Sequence, residues 1–272
     1  MKSWVLIIVV SILILVIILA VILLCKKPKK EKFTSSNIPY TLGICFDKKE
    51  KIPQSQLDNW TRLNPGLQIK TFGDKECTEF LRTEYGQSYA DLFNEIPWGA
   101  IKADLWRICY LYKRGGFYAD VDTVPLVPLK DFVGDADFLT SLGYRHGRIS
   151  QDFIMAKKGS PILKKCIDIF FAKRGRKDLD FWGWSGCTDM TSVLKEEGGF
   201  VSPKSESNVY ALTGVQDFKG ISGEKVRILK ETCKDDKNHP WGFDPYSCGK
   251  HLGKKLIYKA RANNYWQRKF KD

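Results

Sequence analysis

One stretch of the sequence, Lys102 to Leu129, restricts the fold more than any other because a helix, an abrupt stop and a buried strand follow one another within it. Apolar side chains recur at helical spacing from Ile101 to Tyr112, and Pro97 suits the first turn of such a helix. Gly115 and Gly116 come next, and glycine readily adopts the left-handed backbone of a helix end. The pattern therefore predicts a helix that ends at the double glycine.

A short apolar run, Phe117 to Ala119, follows the double glycine and predicts a buried strand. The strand ends in Asp120-Val121-Asp122, where a turn of the backbone can bring both carboxylates towards one cation. A hard divalent cation such as Mg²⁺ or Mn²⁺, bound by few carboxylates, keeps positions open for the phosphate oxygens of a substrate. By itself this Asp-x-Asp pattern is weak, because two acidic residues near a turn usually belong to a solvated loop.

The helix before the strand adds two side chains to this candidate site. Asp104 and Arg107 are three residues apart and therefore share one face of the helix. The guanidinium group of Arg107 can neutralise phosphate charge, and the carboxylate of Asp104 can accept hydrogen bonds from sugar hydroxyls. The simpler alternative is an ion pair within the helix that binds no ligand.

The N-terminal part of the chain is apolar from Trp4 to Cys25 apart from Ser11. As a helix these 22 residues would span about 33 Å, which is enough to cross a bilayer. The run is long for a signal peptide and lacks a small-residue cleavage site. We expect one transmembrane helix as an anchor over residues 1–25, a basic linker over residues 26–37 and one folded domain over residues 38–272.

The formal net charge of +13 is concentrated near the two ends of the chain. Lys26 to Lys32 holds five lysines, and Lys250 to Asp272 holds eight lysines or arginines, so the body between them is nearly neutral. A nucleic-acid-binding surface would need a basic stripe across the fold, and we therefore expect no nucleic-acid partner. The lysines after the apolar run suit a membrane flank, and the positive-inside rule favours a cytosolic body.

Strands and helices alternate along the body, which predicts an α/β layer architecture with a mostly parallel central sheet. In such sheets ligands bind beyond the carboxyl ends of strands, where Asp120 and Asp122 lie. Two regions are predicted to be irregular or at an edge, namely the proline-containing Thr123–Leu129 and the glycine- and aromatic-rich Phe181–Gly186. The remaining predicted elements are strands at Tyr40–Phe46, Leu67–Phe72, Ala136–Leu142 and Gln151–Lys157, and helices at Gln54–Leu63, Thr78–Tyr85, Tyr89–Phe93 and Pro161–Lys173.

Glycosyltransferase family 32 has a DxD region that this sequence closely resembles, in the runs Ala103-Asp104-Leu105-Trp106-Arg107, Leu111-Tyr112, Gly115-Gly116 and Tyr118-Ala119-Asp120-Val121-Asp122. That family includes initiating α-1,6-mannosyltransferase-like enzymes of fungi and capsule enzymes of bacteria. Weaker likeness covers roughly Ile38 to Leu194. The resemblance implies a GT-A fold, a UDP- or GDP-sugar donor, a glycan or glycoconjugate acceptor, Mn²⁺ or Mg²⁺ as cofactor, and retention of the anomeric configuration. It also implies a membrane of the Golgi or ER type.

The same resemblance implies a role for each site residue. Asp122 would bind the metal directly, and Asp120 would bind the metal or the ribose. Asp104 and Arg107 would hold the donor sugar, with further donor contacts from two residues of the predicted strand, Gly116 and Tyr118. Asp152 would be the carboxylate on the acceptor side, and a helix-cap or loop role is its alternative.

Two features depart from the family pattern. The first strand of the domain, Ile38 to Ile44, lacks a histidine that family members often carry there. The C-terminal tail lacks the usual histidine followed by a Ser-Trp pair, so the third metal ligand is open between Asn264 and His251.

Two other functions fit parts of the pattern. A phosphatase of the haloacid dehalogenase type would use Asp120 as nucleophile and Asp122 as acid/base, but that motif belongs on the first strand of its domain. The second alternative is a membrane-tethered binding module without catalytic activity, which the departures in the tail favour.

Overall fold

The computed structural model describes residues 13–15, 38–143, 148–200, 216–232, 249–252 and 255–260, and the structural statements below concern these residues. The chain divides into two compact units, Met1–Thr34 and Ser35–Asp272. In the first unit Leu13, Ile14 and Leu15 are helical and exposed. The rest of the predicted anchor and the linker lie outside the described residues. No helix within the described ranges is long and apolar enough to cross a bilayer.

The second unit is built from eight α-helices and ten strands within the described part of the chain. The helices are α1 (Gln54–Leu63), α2 (Asp74–Tyr85), α3 (Gln87–Glu95), α4 (Gly99–Arg114), α5 (Lys130–Val133), α6 (Pro161–Ala172), α7 (Phe181–Trp184) and α8 (Gly186–Glu196). The strands are β1 (Thr41–Cys45), β2 (Gln68–Phe72), β3 (Gly116–Ala119), β4 (Thr123–Pro125), β5 (Phe138–Leu142), β6 (Ile149–Ala156), β7 (Gln216–Lys219), β8 (Lys225–Thr232), β9 (Gly249–Leu252) and β10 (Lys255–Ala260).

The ten described strands form one sheet in the order β2-β1-β3-β6-β5-β8-β9-β10-β4, and β7 pairs with β8. Strand β1 is parallel to both β2 and β3, and β5 is parallel to β8. Strand β6 lies antiparallel between β3 and β5, and the pairs that involve β4, β7, β9 and β10 are antiparallel as well. The α/β architecture is therefore confirmed, whereas the expectation of a mostly parallel sheet is wrong because the described sheet is mixed.

The direction of β6 follows from the length of the connection before it. Six residues join Leu142 of β5 to Ile149 of β6, whereas a crossover between parallel strands needs roughly a dozen or more. Strand β6 therefore returns beside β5 as a hairpin. Its other edge pairs with β3, where Phe153 lies opposite Ala119, and this pairing brings Gln151 and Asp152 next to the DxD turn.

Most predicted elements are present, with shifts of a few residues at their ends. Helix α1 has the predicted bounds, and α6 ends one residue before the predicted Lys173. The region Thr123–Leu129 contains the three-residue strand β4, which pairs with β10 at the end of the sheet. The region Phe181–Gly186 is not irregular, since it forms α7 and the start of α8. Asp180 fixes the first turn there by accepting a hydrogen bond from the Gly183 N–H at 2.8 Å.

Helix α4 packs its apolar face into the core and carries the site residues at its side. Leu105 and Trp106 are fully buried, and the Trp106 ring lies 4.7 Å from the Phe72 ring of β2 and 4.8 Å from the Tyr110 ring. Each fully buried side chain of the size of Leu105 contributes roughly 1.5–3 kcal/mol. This burial fixes the rotation of α4 about its axis, and so it also fixes where Asp104 and Arg107 lie.

The double glycine joins α4 directly to β3. Gly115 ends the helix with φ of 66°, and Gly116 begins the strand with φ of 94°, as the predicted stop requires. A Cβ atom on Gly116 would lie 2.5 Å from the carbonyl oxygen of Thr41 in β1. The absence of a side chain therefore lets β3 enter the sheet between β1 and β6 and sets the position of the DxD turn.

Candidate active site

A pocket of about 870 Å³, part of it open to solvent, lies where β1 and β3 end. Its walls come from the residues after β1, the first turn of α2, the first turn of α4 and the turn Asp120–Asp122. Because β1 and β3 are parallel neighbours, their carboxyl ends meet at the same edge of the sheet. A ligand can therefore enter this pocket from solvent at the sheet edge where α/β proteins usually bind their ligands.

Arg107 connects the parts of this site. Its side chain is buried, and Nε and Nη1 donate hydrogen bonds to the carbonyl oxygens of Ala103 at 3.0 Å and Gln151 at 2.6 Å. Its Nη2 lies 3.3 Å from an oxygen of Asp104 and 3.3 Å from an oxygen of Asp120. Burial opposes the charge of Arg107, but the surrounding acidic groups outweigh burial and hold its pKa above the usual value. Arg107 therefore stays cationic and holds α4, β6 and the DxD turn together.

Asp104 is buried and reaches α8. Its Oδ2 accepts a hydrogen bond from the backbone N–H of Gly186 at 2.9 Å. A Cβ atom on Gly186 would lie 3.0 Å from the Asp104 Cβ, so the glycine permits this close approach. Burial raises the pKa of Asp104 to about 6, although Arg107 and the Gly186 N–H favour the charged form. Asp104 thus anchors the start of α8, and its contact with a donor sugar stays a prediction.

Asp120 and Tyr118 lie together in the pocket wall. The Tyr118 hydroxyl donates a hydrogen bond to Asp120 Oδ1 at 2.6 Å, and the Arg107 Cζ atom lies 4.5 Å from the centre of the Tyr118 ring. The backbone N–H of Asp120 donates to the carbonyl oxygen of Asp152 at 2.8 Å. The Asp120 side chain is 32% exposed, so it is held from beneath while part of it faces the pocket.

Asp122 is the second carboxylate of the turn and also lines the pocket. Burial, together with the negative charges of Asp120 and Asp152, raises the pKa of Asp122 to about 7. Oδ1 of Asp152 accepts hydrogen bonds from the hydroxyls of Ser141 at 3.1 Å and Ser150 at 2.6 Å. Negative charge is therefore concentrated at this end of the pocket, which favours the binding of a cation.

These donor groups fit a hard divalent cation. The oxygens of Asp120 and Asp122 are the ligands that Mg²⁺ and Mn²⁺ prefer, and a bound cation would relieve the repulsion that raises the Asp122 pKa. Among the described side chains no three His, Cys, Asp or Glu residues form a metal cluster. Of the two residues predicted as a third ligand, Asn264 lies outside the described residues, and His251 is described by its backbone alone, in β9.

Gly116 lies at the opposite end of β3 from Asp120. A strand rises about 3.3 Å per residue. Gly116 therefore lies several hydrogen-bond lengths away from the DxD turn. Its backbone packs against Thr41, and it does not line the pocket. Strand packing accounts for the lack of a side chain at Gly116, and the donor contact predicted for it stays a prediction.

Sequence reasoning missed one wall of the pocket. Phe46 and Asp47 follow β1, Asp74 begins α2, and Lys102 lies in the first turn of α4, with its Nζ atom 2.9 Å from an oxygen of Asp74. The rule that ligands bind at the carboxyl ends of strands could have identified Phe46 and Asp47, since β1 is the first strand of the domain. Asp74 and Lys102 belong to no motif, and only the packing of α2 against α4 brings them together.

Comparisons with known proteins identify a family model and several proteins that this chain resembles. The family described as "Glycosyltransferase sugar-binding region containing DXD motif" matches residues 51–139. The chain is 29% identical over 270 residues to the initiation-specific alpha-1,6-mannosyltransferase of Candida albicans, which covers 79% of this chain and 70% of that protein. It is 30% identical over 84 residues to an uncharacterized glycosyltransferase of Acanthamoeba polyphaga mimivirus, covering 31% of this chain and 34% of the relative. A solved structure, the PaToxG glycosyltransferase, superposes with a TM-score of 0.47 at 16% identity over 59% of this chain and 69% of its own.

The matched family region contains α4, β3 and the DxD turn, which together form the floor of the pocket. Both sequence relatives are named glycosyltransferases. The protein is therefore a glycosyltransferase, and the comparisons support neither the phosphatase nor the module without catalytic activity. In its DxD region the chain is similar to the DXD-containing glycosyltransferases of the family 32 type.

Proposed function

We propose that this glycosyltransferase moves a hexose from a UDP- or GDP-sugar to a glycan or glycoconjugate acceptor, with a divalent cation at Asp120 and Asp122 and with retention of the anomeric configuration. One observation carries the proposal: both DxD carboxylates line the same pocket as the buried cation Arg107. A fixed guanidinium group beside two metal-binding carboxylates suits the negative charge of a nucleoside diphosphate.

The protein's contribution to this reaction is charge and position. Tyr118 and Arg107 hold Asp120 from beneath, and the turn presents Asp122 beside it. Mn²⁺ or Mg²⁺ held by these carboxylates would act as a Lewis acid that stabilises the charge developing on the diphosphate leaving group. Arg107 supplies a permanent positive charge next to the same turn, and its carbonyl contacts fix it in place before substrate binds.

The acceptor hydroxyl must lose a proton during transfer. In a retaining transfer the departing diphosphate can take that proton, so no strongly basic side chain is required. We assign Asp152 to the acceptor side as a positioning carboxylate. Two hydroxyls, from Ser141 and Ser150, hold its Oδ1, and its carbonyl oxygen accepts the Asp120 N–H, so it is fixed relative to the DxD turn.

An activated mannose is the first donor to test, because the Candida relative is named a mannosyltransferase and aligns with most of this chain. The assay uses the full chain with a panel of GDP- and UDP-sugars, with oligosaccharides of mannose, galactose, glucose or N-acetylglucosamine as acceptors, and follows the release of nucleoside diphosphate. At least one donor should be consumed, the activity should disappear with EDTA, and added Mn²⁺ or Mg²⁺ should restore it. NMR of the product's anomeric proton should show the configuration of the donor.

The matched control for the site carboxylates is Asp178→Asn, because Asp178 is exposed and forms a surface ion pair with Arg176. It should retain wild-type activity. Equal turnover in EDTA would contradict the metal dependence, and an inverted product would contradict retention. Hydrolysis of simple phosphate esters without turnover of any nucleotide sugar would contradict the proposed donor.

We also propose that residues 1–25 attach the enzyme to a membrane of the Golgi or ER type. The apolar run Trp4–Cys25 and the lysines that follow it support this attachment. After carbonate extraction of cell membranes the full chain should remain in the pellet, whereas a chain that begins at residue 38 should be released. Recovery of the full chain in the supernatant would contradict the attachment. Protease protection in sealed vesicles shows on which side of the membrane the folded domain lies.

A further inference from the structure

Trp182 is exposed, whereas its two neighbours in the chain, Phe181 and Gly183, are half-buried. Its side chain is 58% exposed, whereas Trp184, two residues later, is buried and packs against Phe170 with ring centres 5.8 Å apart. Residues two apart in a helical turn point to different sides. Because Trp184 is anchored in the core, the turn presents Trp182 to solvent.

The turn that carries Trp182 is fixed in place by several hydrogen bonds. Asp180 caps it by accepting the Gly183 N–H at 2.8 Å, and the Ser185 N–H donates to the Trp182 carbonyl oxygen at 3.2 Å. Immediately after the turn, the Gly186 N–H donates a hydrogen bond to Asp104 of α4. Trp182 therefore lies on a rigid element that is attached directly to the active site.

A chain of aromatic contacts connects Trp182 to the rim of the donor pocket. Its ring centre lies 5.2 Å from that of Phe181, which lies 5.8 Å from the ring centre of Trp98. Trp98 is the residue before α4, and the next two residues, Gly99 and Ala100, line the pocket. Trp182 is not itself part of the pocket wall. Two aromatic rings therefore separate the exposed Trp182 from the residues that line the pocket, and a donor bound inside the pocket does not account for the exposure of this ring.

We propose that Trp182, supported by Phe181 and Trp98, is an acceptor subsite on which a pyranose ring of the acceptor glycan stacks. The face of an indole ring carries partial negative charge and a large apolar area, which suits the polarised C–H bonds on the apolar face of a pyranose. A wide, flat and rigid aromatic surface binds such a ring at low conformational cost. This inference rests on the proposed function insofar as a glycan is the acceptor.

Binding is tested first, without a donor, by saturation-transfer NMR of the full chain with trisaccharides of mannose, galactose, glucose or N-acetylglucosamine at millimolar concentration. At least one trisaccharide should receive saturation on the ring protons of one face, and Trp182→Ala should remove that signal. Absence of saturation for all four with the wild-type protein, or equal saturation with Trp182→Ala, would overturn the proposal.

Kinetics with the same acceptor distinguish stacking from a general loss of structure. Trp182→Ala should raise the acceptor KM roughly tenfold and leave kcat and donor hydrolysis without acceptor within about twofold, whereas Trp182→Phe should recover most of the lost affinity. Ile221→Ala is the matched control, since Ile221 is an apolar side chain that is 80% exposed at the turn between β7 and β8. An equal change in acceptor KM for Ile221→Ala would also overturn the subsite. A protein that transfers sugar from no nucleotide sugar to any acceptor would contradict the proposed function, while the NMR experiment would still decide whether Trp182 binds sugar.

Discussion

Glu197 and Asp122 are both carboxylates in crowded surroundings, yet their neighbours act on them in opposite directions. Glu197 is buried and accepts hydrogen bonds from the Lys165 ammonium at 2.8 Å and the Ser222 N–H at 2.8 Å. Burial disfavours its charge, but these partners outweigh burial and hold the Glu197 pKa below its usual value. Asp122 instead has two further carboxylates as neighbours, and its pKa is raised to about 7.

The difference distinguishes an acid whose partners stabilise the fold, Glu197, from an acid that we propose to serve the reaction, Asp122. A carboxylate with a cation and an N–H as partners stabilises the folded chain and needs no ligand. Carboxylates that repel one another at an open pocket are unfavourable until a cation binds between them. Variants of a carboxylate with such partners should lose stability and keep activity. Variants of the repelling carboxylates at the pocket should lose activity and keep stability.

The largest effect is expected for Asp122→Asn. Loss of a metal-binding carboxylate should lower kcat/KM by at least about 100-fold, since electrostatic stabilisation of the leaving group is lost. In metal-free buffer the free energy of unfolding should be no lower than in the wild type, because one repelling charge has been removed. Urea unfolding and the transfer assay measure both quantities, and retained turnover in a folded variant would remove Asp122 from the mechanism.

Asp104→Asn should change how stability depends on pH. The folded pKa of Asp104, about 6, lies above its unfolded value, so between about pH 4 and pH 6 the folded state binds more protons and wild-type stability falls as pH rises. Asparagine does not titrate. The free energy of unfolding of the variant relative to that of the wild type should therefore rise by on the order of 3 kcal/mol between pH 4 and pH 7. Urea unfolding of both proteins in EDTA at several pH values measures this shift, and parallel pH profiles would contradict the raised pKa.

Glu197→Ala should show the opposite behaviour to Asp122→Asn. The variant leaves the Ser222 N–H without its partner and removes the attraction to Lys165, which should lower the free energy of unfolding by about 2 kcal/mol. Turnover per folded molecule at 25 °C should stay within about twofold of the wild type. A loss of activity as large as that of Asp122→Asn would mean that the two kinds of acid are not separable in this protein.

Arg107→Lys should have the smallest of these effects. The guanidinium group donates to two carbonyl oxygens and lies beside two carboxylates, and a single ammonium group cannot reach all four. We expect kcat/KM to fall roughly tenfold, equivalent to about 1.4 kcal/mol. Steady-state kinetics measure this change, and kinetics identical to those of the wild type would show that the planar fork of the Arg107 guanidinium group is not needed.

The sequence predicted the part of the site that is contiguous along the chain. Helical spacing, the double glycine and the apolar run placed α4, β3 and the DxD turn correctly, because each of these signals is local. Two features depend on contacts between distant segments and were not predictable in this way. One is the antiparallel direction of β6, which the short connection after β5 determines, and the other is the wall formed by Asp74 and Lys102.

Asp104 shows, for a single residue, that contacts between distant segments could not be predicted from the sequence. Its spacing from Arg107 predicted a shared helix face, and the structure confirms that the two side chains lie 3.3 Å apart. The spacing did not predict that Gly186, 82 residues later, would donate to the same carboxylate. That contact depends on the packing of α8 against α4, for which a single sequence carries no local signal.

The contact between Gly116 and Thr41 determines which substitutions position 116 tolerates. Any side chain at position 116 must displace β3 from β1, and Asp120 would move with the strand because only three residues separate them. A saturation scan scored by enzyme activity would therefore rank position 116 with the DxD carboxylates on strand packing alone. Intolerance to substitution at this position reports the register of a strand and gives no information on ligand contact.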